Sequence, residues 1–362
     1  MKPILRNTAT IALLLIATST MASNDRLSKT YDREFATPPV TKLVVENKFG
    51  QINIENWDKK AISIHVDIKV ENSNNEKAKL MLNAITVEFS ESDNIASAIT
   101  KFNDDIMRSN RRLFSSISDD DLSIDYQIKM PASINVDLTN RYGDIFIDKL
   151  SGQMMVALKY GNIKVNKLTL GDNEPLNTLT LGYGNASIAE ANWLKVDMKY
   201  SKITIDNVQA LVLVSKYSKA NIGNASSLVF ESKYDGYEID NISKMIGESG
   251  YTNFKINKLN TLFKVTAKYG EVKIYSVSSS LKEINFTSSY TEFKAGLPSN
   301  LSYKLDADMS YGNVRYPSDI ARVNKIEENT STEVNGIVGN EKEAKTTVKL
   351  KMRYGSASLY NN

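Results

Sequence analysis

A short motif returns along this chain: an aromatic residue, a small residue, a polar residue, then apolar side chains at alternate positions. It first reads Phe49-Gly50-Gln51-Ile52-Asn53-Ile54, then Tyr142-Gly143-Asp144-Ile145-Phe146-Ile147 and Tyr160-Gly161-Asn162-Ile163-Lys164-Val165. Further copies begin at Tyr183, Tyr200, Tyr217, Tyr234, Tyr251, Tyr269, Tyr290, Tyr311 and Tyr354. Eleven of the 18 tyrosines occupy this one position. From Tyr183 to Tyr251 the step is 17 residues four times running; elsewhere it is 18, 21 or 23. A fixed period near 20 residues marks a solenoid, in which each repeat buries its apolar face only against its neighbours. The 43-residue step from Tyr311 to Tyr354 holds either two rungs or one rung with an insert.

Each repeat has an internal grammar. Before the tyrosine, apolar residues fall at even offsets, as in Leu211 and Leu213 ahead of Tyr217; after it they fall at odd offsets, as in Ile203 and Ile205 behind Tyr200. Alternation predicts strands with one buried face. The parity changes at the tyrosine and its small neighbour, which requires a bulge or corner, and glycine adopts such backbone most readily. Each rung is therefore expected to be a strand, a bend, a second strand and an Asn/Asp-rich turn such as Asp206-Asn207 or Asp240-Asn241. The expected fold is all-β, a single-stranded parallel β-solenoid of 17–23 residues per rung over residues 40–360. Tyrosines stack at about 4.8 Å in such a coil, inside it or along its corner.

Lys or Arg precedes the aromatic in eight copies, among them Lys159, Lys199, Lys216, Lys233 and Lys268. Strand alternation sends these side chains outward, as a basic stripe able to meet acidic glycans or simply to keep stacked strands soluble. Residues 71–121 break the period as an irregular excursion. Within and around it, Ile62 to Val70, Ala84 to Ser90 and Ser123 to Met130 read as strands, Asn74 caps a short helix over Asn75 to Asn83, and Phe102 to Asp121 reads as a mobile loop.

Residues 1–22 read as a cleaved secretory signal: Lys2 and Arg6, the apolar run Ile11 to Ala17, then Thr20-Met21-Ala22. Without Lys2 and Arg6 the chain carries 43 basic and 42 acidic residues, which offers no electrostatic case for nucleic acid. The absence of cysteine removes thiol nucleophiles, thiolate metal sites and a lipidated anchor. His65 is the only histidine and sits at an outward position, so a histidine-based triad or metal cluster is excluded. Asp119-Asp120-Asp121 reads as a solvated run. No residue stands out as catalytic, cofactor-binding or metal-binding, and no cofactor is expected.

Three segments together resemble the bacterial putative-adhesin domain family, the auto-transporter adhesin head-like β-solenoids: Leu43 to Ile54, the serial Tyr-Gly-x-Ile-x-Ile copies, and Gly336-Ile337-Val338-Gly339 followed by Tyr354-Gly355-Ser356-Ala357-Ser358-Leu359. Ser201, Ser218, Asp235 and Thr252 depart from the motif's glycine. The resemblance implies a β-solenoid. With the signal segment it leads to a non-enzymatic, adhesin-like binding or scaffold protein, periplasmic, secreted or at the cell surface, with a protein or glycan partner at the envelope. The alternative is a carbohydrate-active β-helix enzyme acting on acidic polysaccharide, with paired carboxylates drawn from different rungs.

Overall fold

The structure is a computed structural model and describes residues 26–110, 121–170 and 176–362. The expected signal segment lies outside these residues, as do Asp119 and Asp120. The chain is all-β, with many parallel strands, and divides into two compact units between Pro131 and Ala132. Among the described residues no helix is long and apolar enough to cross a membrane.

The first unit holds β1 (Arg26–Ala36), β2 (Lys42–Lys48), β3 (Ile52–Asn56), β4 (Ala61–Glu71), α1 (Asn75–Asn83), β5 (Ile85–Ser92), β6 (Ile95–Phe102), α2 (Asp104–Ser109) and β7 (Leu122–Met130). β4 buries Ile62, Ile64, Val66, Ile68 and Val70, the alternation read from sequence, and pairs antiparallel with β1 and β7. His65 meets Asp32 of β1 at 2.8 Å. β7 runs parallel to β3, and β6 runs parallel to β2 but antiparallel to β5. The Asn74 side chain accepts from the Lys77 amide and caps α1, whose Ala78 and Met81 are buried. The segment read as a mobile loop begins instead with a helix: Asn103 caps α2, Asp104 and Asp105 occupy its first turn and Arg108 its last. Cap and charges suit the helix dipole, a local signal that the apolar period cannot show.

The second unit begins with β8 (Asn135–Arg141), β9 (Ile145–Leu150), β10 (Met154–Lys159), β11 (Ile163–Leu168) and β12 (Asn177–Gly182). It continues through β13 (Asn185–Lys199), β14 (Lys202–Lys216), β15 (Lys219–Lys233), the long β16 (Gly236–Val277) and β17 (Glu283–Leu297). Segments before the tyrosines pair in parallel with one another, β8 with β10 and β10 with β12. Segments after them do the same, β9 with β11 and β11 with β13. From β13 to β16 every partner lies 17 residues on, as in Leu194↔Leu211, Leu211↔Leu228 and Leu228↔Met245. These residues, with Ile203, Ile205, Leu213 and Ile222, form the core. Asp206-Asn207 and Asp240-Asn241, expected as turns, lie instead within the continuous strands β14 and β16, where Asn224 donates to Asn207, Asn241 to Asn224 and Asn260 to Asn241, an amide ladder with donor–acceptor distances of 2.8–3.3 Å.

The end of the chain departs from the expected serial order. β18 (Tyr303–Ser310) and β19 (Asn313–Arg315) follow β17 in sequence but do not pair with it. β20 (Ala321–Glu327) and β21 (Ser331–Val338) form an antiparallel hairpin laid against β18. β22 (Thr346–Arg353) and β23 (Ser356–Asn361) then return, and β22 inserts in parallel between β17 and β18. The 43-residue step holds one tyrosine-marked strand pair with an inserted hairpin, and the last motif tyrosine in sequence, Tyr354, stacks between Tyr290 and Tyr311.

Candidate functional site

All eleven motif tyrosines, and Phe49, have left-handed backbone with φ between 51° and 64°. The bend falls within the expected Tyr-Gly step, with the left-handed backbone on the tyrosine rather than on the glycine. This changes which side chains face in. In the 17-residue rungs the buried parity runs Leu211, Leu213, Ser215, then skips Tyr217 and resumes at Ser218 and Ala220. Ten of the eleven tyrosines are 38–54% exposed. Left-handed backbone costs an L-residue about 1–2 kcal/mol. Two compensations are visible. The tyrosine amide continues the parallel ladder, as Tyr200 N donates to Lys216 O at 3.1 Å and Tyr217 N to Lys233 O at 3.0 Å. The rings stack from Tyr142 through Tyr290, then Tyr354, then Tyr311, with centroids 4.6–5.0 Å apart and planes within 18°. The phenol of Tyr251 is raised above its ordinary range, by desolvation first and then by the phenols of Tyr269 and Tyr234 beside it.

The small residue after each tyrosine lies under the row. A Cβ on Gly184 would collide with the carbonyl oxygen of Gly161, and one on Gly312 with that of Gly355. Where the run has Ser201, Ser218, Asp235 and Thr252 instead, a polar ladder replaces the close approach. Gly184 N donates to Ser201 Oγ at 3.3 Å, Ser201 N to Ser218 Oγ at 3.2 Å, Ser218 N to Asp235 Oδ1 at 2.7 Å, and Asp235 N to Thr252 Oγ1 at 3.4 Å. The hydroxyls also donate back across the bend, Ser201 to Lys199 O at 2.8 Å and Ser218 to Lys216 O at 2.9 Å. Asp235 Oδ2 further accepts from Ser215 Oγ and Ser232 Oγ, both at 2.7 Å, and from Lys233 N at 3.0 Å. The Tyr237 hydroxyl lies 2.6 Å from Ser215 Oγ, and burial pushes its phenol well above the ordinary range, keeping it neutral.

Above this floor runs an open groove of about 870 Å³, walled by Tyr183, Tyr200, Tyr217 and Tyr234 and flanked by Lys202 and Lys219. Immediately before the tyrosines, and outside the groove's lining, the register aligns Lys199, Lys216 and Lys233. Gly182 separates this column from Lys159, and Gly250 separates it from Lys268. Of the five lysines read as a stripe, the structure therefore joins three. Lys216 Nζ lies 5.2 Å from the Tyr217 ring, Lys233 Nζ 5.6 Å from Tyr234, and Lys159 Nζ 5.0 Å from Tyr160. Lys202 and Lys219 were not singled out from sequence; they sit at the motif's polar position, where mixed residue types hid the pairing.

No family model matches the chain, and no curated protein matches it. Similar solved structures include a putative cell adhesion protein from Clostridium sporogenes, at 12% identity and a TM-score of 0.20, covering 92% of this chain and 100% of that one. A putative adhesin from Bacteroides fragilis is 10% identical with a TM-score of 0.25, covering 92% of this chain and 97% of that one. A putative adhesin from Parabacteroides merdae is 8% identical with a TM-score of 0.27, covering 91% and 95%. With such scores, the description of the fold rests on strand register and the site on its own geometry.

Proposed function

We propose that the chain is an exported, non-enzymatic, adhesin-like binding or scaffold protein. Its parallel rungs wind as a β-solenoid, and the tyrosine-marked corner is the contact surface. The observation that carries this reading is the exposed row of stacked tyrosines held at strained corners over an open groove. Strain and exposed aromatic surface persist where a surface has work beyond folding. The rungs are paired on both sides and rigid, so they hold repeated side chains in fixed register, which suits an extended partner at the cell envelope.

The test is to present the chain without residues 1–22 to immobilised envelope fractions and to a panel of neutral and acidic polysaccharides. Retention that leaves polymer length unchanged supports the proposal. Release of new chain ends would favour the polysaccharide-cleaving alternative, and absence of retention on every surface would remove the binding reading.

A further inference from the structure

The five lysines around Tyr200, Tyr217 and Tyr234 are arranged against the stability of the sheet. Parallel register sets Lys199 beside Lys216 and Lys216 beside Lys233 on one flank, and Lys202 beside Lys219 on the other. Like charges directly opposite on neighbouring strands are destabilising. Elsewhere in the same unit outward lysines meet acids: Lys167 pairs with Glu190, Lys255 with Glu238 at 3.5 Å, and Lys264 with Glu283 at 3.3 Å. Among the described residues no carboxylate stands within 4.0 Å of any of these five lysines. Asp197 and Glu231 lie two residues before Lys199 and Lys233 on the outer face, without pairing. The one carboxylate in the groove, Asp235, is turned into the floor and consumed by hydrogen bonds from Ser215, Ser218, Ser232 and Lys233. What remains facing solvent is cationic on both sides of a tyrosine row.

The same geometry selects among anionic partners. Each ring between two others has both faces covered by neighbours 4.9–5.0 Å away, so bases find no free face on which to stack. β14 and β15 are hydrogen-bonded to a strand on each side, so an acidic peptide finds no open edge to extend. Ring edges, phenol hydroxyls and two ammonium columns are left, recurring once per rung. That pattern suits a linear chain rich in hydroxyls with anionic groups at intervals. Resting on the binding function proposed above, we infer that the groove and the tyrosine row beside it take a linear acidic polysaccharide, its carboxylate or sulfate groups on Lys202 and Lys219 in the groove and on Lys199, Lys216 and Lys233 before the tyrosines.

The experiment uses the exported chain with immobilised polygalacturonate as probe, beside neutral dextran, poly-glutamate and oligo-thymidine. Two variants are compared, Lys202→Gln with Lys219→Gln, and Lys199→Gln with Lys216→Gln and Lys233→Gln. The control carries Lys244→Gln, Lys258→Gln and Lys282→Gln, all exposed and outside the groove's lining. Polygalacturonate binding should weaken by about tenfold or more in either groove variant, with a shallower salt dependence, and change little in the control. The variant with Lys202→Gln and Lys219→Gln, whose lysines touch no ring among the described residues, should melt at the same or a higher temperature, since a like-charge contact is relieved. Equal loss in the control would show that overall charge binds, and a lower melting temperature of that variant would make its lysines structural; each overturns the inference. Poly-glutamate or oligo-thymidine bound as tightly as polygalacturonate overturns the polysaccharide assignment. Retention on dextran alone, insensitive to the lysines, overturns it while leaving the binding function standing. Retention on none of these polymers nor on envelope fractions removes both.

Discussion

Replacing Tyr217 separates the ring from the backbone beneath it. The ring stacks on Tyr200 at 5.0 Å and on Tyr234 at 4.9 Å, with planes within 9°. Two such contacts contribute about 1–3 kcal/mol in sum beyond area burial. The ring is 42% exposed, so on the order of 100 Å² leaves water, contributing about 2.5 kcal/mol at the usual coefficient. Tyr217→Ala should therefore destabilise by about 3.5–5.5 kcal/mol, at the top of the range for large-to-small changes despite the exposure. Tyr217→Gly loses the same ring but also relieves φ of 53°. It should be more stable than the alanine variant by about 1 kcal/mol, the left-handed cost returned. At an ordinary strand position the order reverses, because glycine loses about 0.5–1 kcal/mol relative to alanine. Thr204, in β14 with regular pairing to Asn221, supplies that control. Urea unfolding followed by far-ultraviolet circular dichroism measures all four variants, with slopes compared to check that the same surface unfolds. If Tyr217→Gly is less stable than Tyr217→Ala, the corner is not held against backbone strain and the account of the tyrosine position is wrong.

Gly184→Ala drives a methyl into the Gly161 carbonyl and should cost well over about 2 kcal/mol, whereas Gly236→Ala meets nothing within 4 Å and should be neutral or stabilising by up to about 1 kcal/mol; thermal melts compare the two. Asp235→Ala strands the Ser218 and Lys233 amides and should cost about 2–4 kcal/mol, while Asp235→Ser, which recreates the ladder seen at Ser218, should recover part of it; equal losses in denaturant melts would show that the ladder carries no energy. Truncation before Thr346 removes β22 from between β17 and β18 and should make residues 283–340 sensitive to limited proteolysis while the rungs from β8 to β15 stay protected. Deleting residues 201–217 joins Tyr200 to Ser218 in the same phase and should leave a shorter folded protein of lower melting temperature, whereas an eight-residue deletion inside that rung should misfold; survival of the short deletion alone would rule out a 17-residue unit.

The strands of the second unit were legible because their information is local. Alternation at Leu211 and Leu213 and at Ile203 and Ile205 specifies a buried face within a few residues, and a constant 17-residue step specifies the register of the next copy. The short helix after Asn74 was legible for the same reason, its cap lying next to it in sequence. The helix over Asp104–Ser109 carries an equally local cap, but it buries no residue, so no apolar period announces it. β1 and β6 are not visible from their own residues: β1 takes its place from β4 and β6 its place from β2, both far along the chain, although β6 also pairs with β5 across the two-residue turn Asp93-Asn94.

What the sequence by itself determined is the repeating unit: an aromatic position, its period, and the face each strand buries, since these follow from side-chain alternation over neighbouring residues. Only the tertiary structure decided where the bend falls. Whether Tyr217 or the residue after it takes the left-handed backbone depends on the ring's two neighbours 17 residues away on either side and on the Ser218 side chain reaching the adjoining rung. Only it decided that Lys202 and Lys219 line one groove with the tyrosine row, and that Lys199, Lys216 and Lys233 stand in one register column just before that row. And only it decided that Tyr354 stacks between Tyr290 and Tyr311, because a strand order that departs from chain order is set by which edges remain open when the last segment arrives.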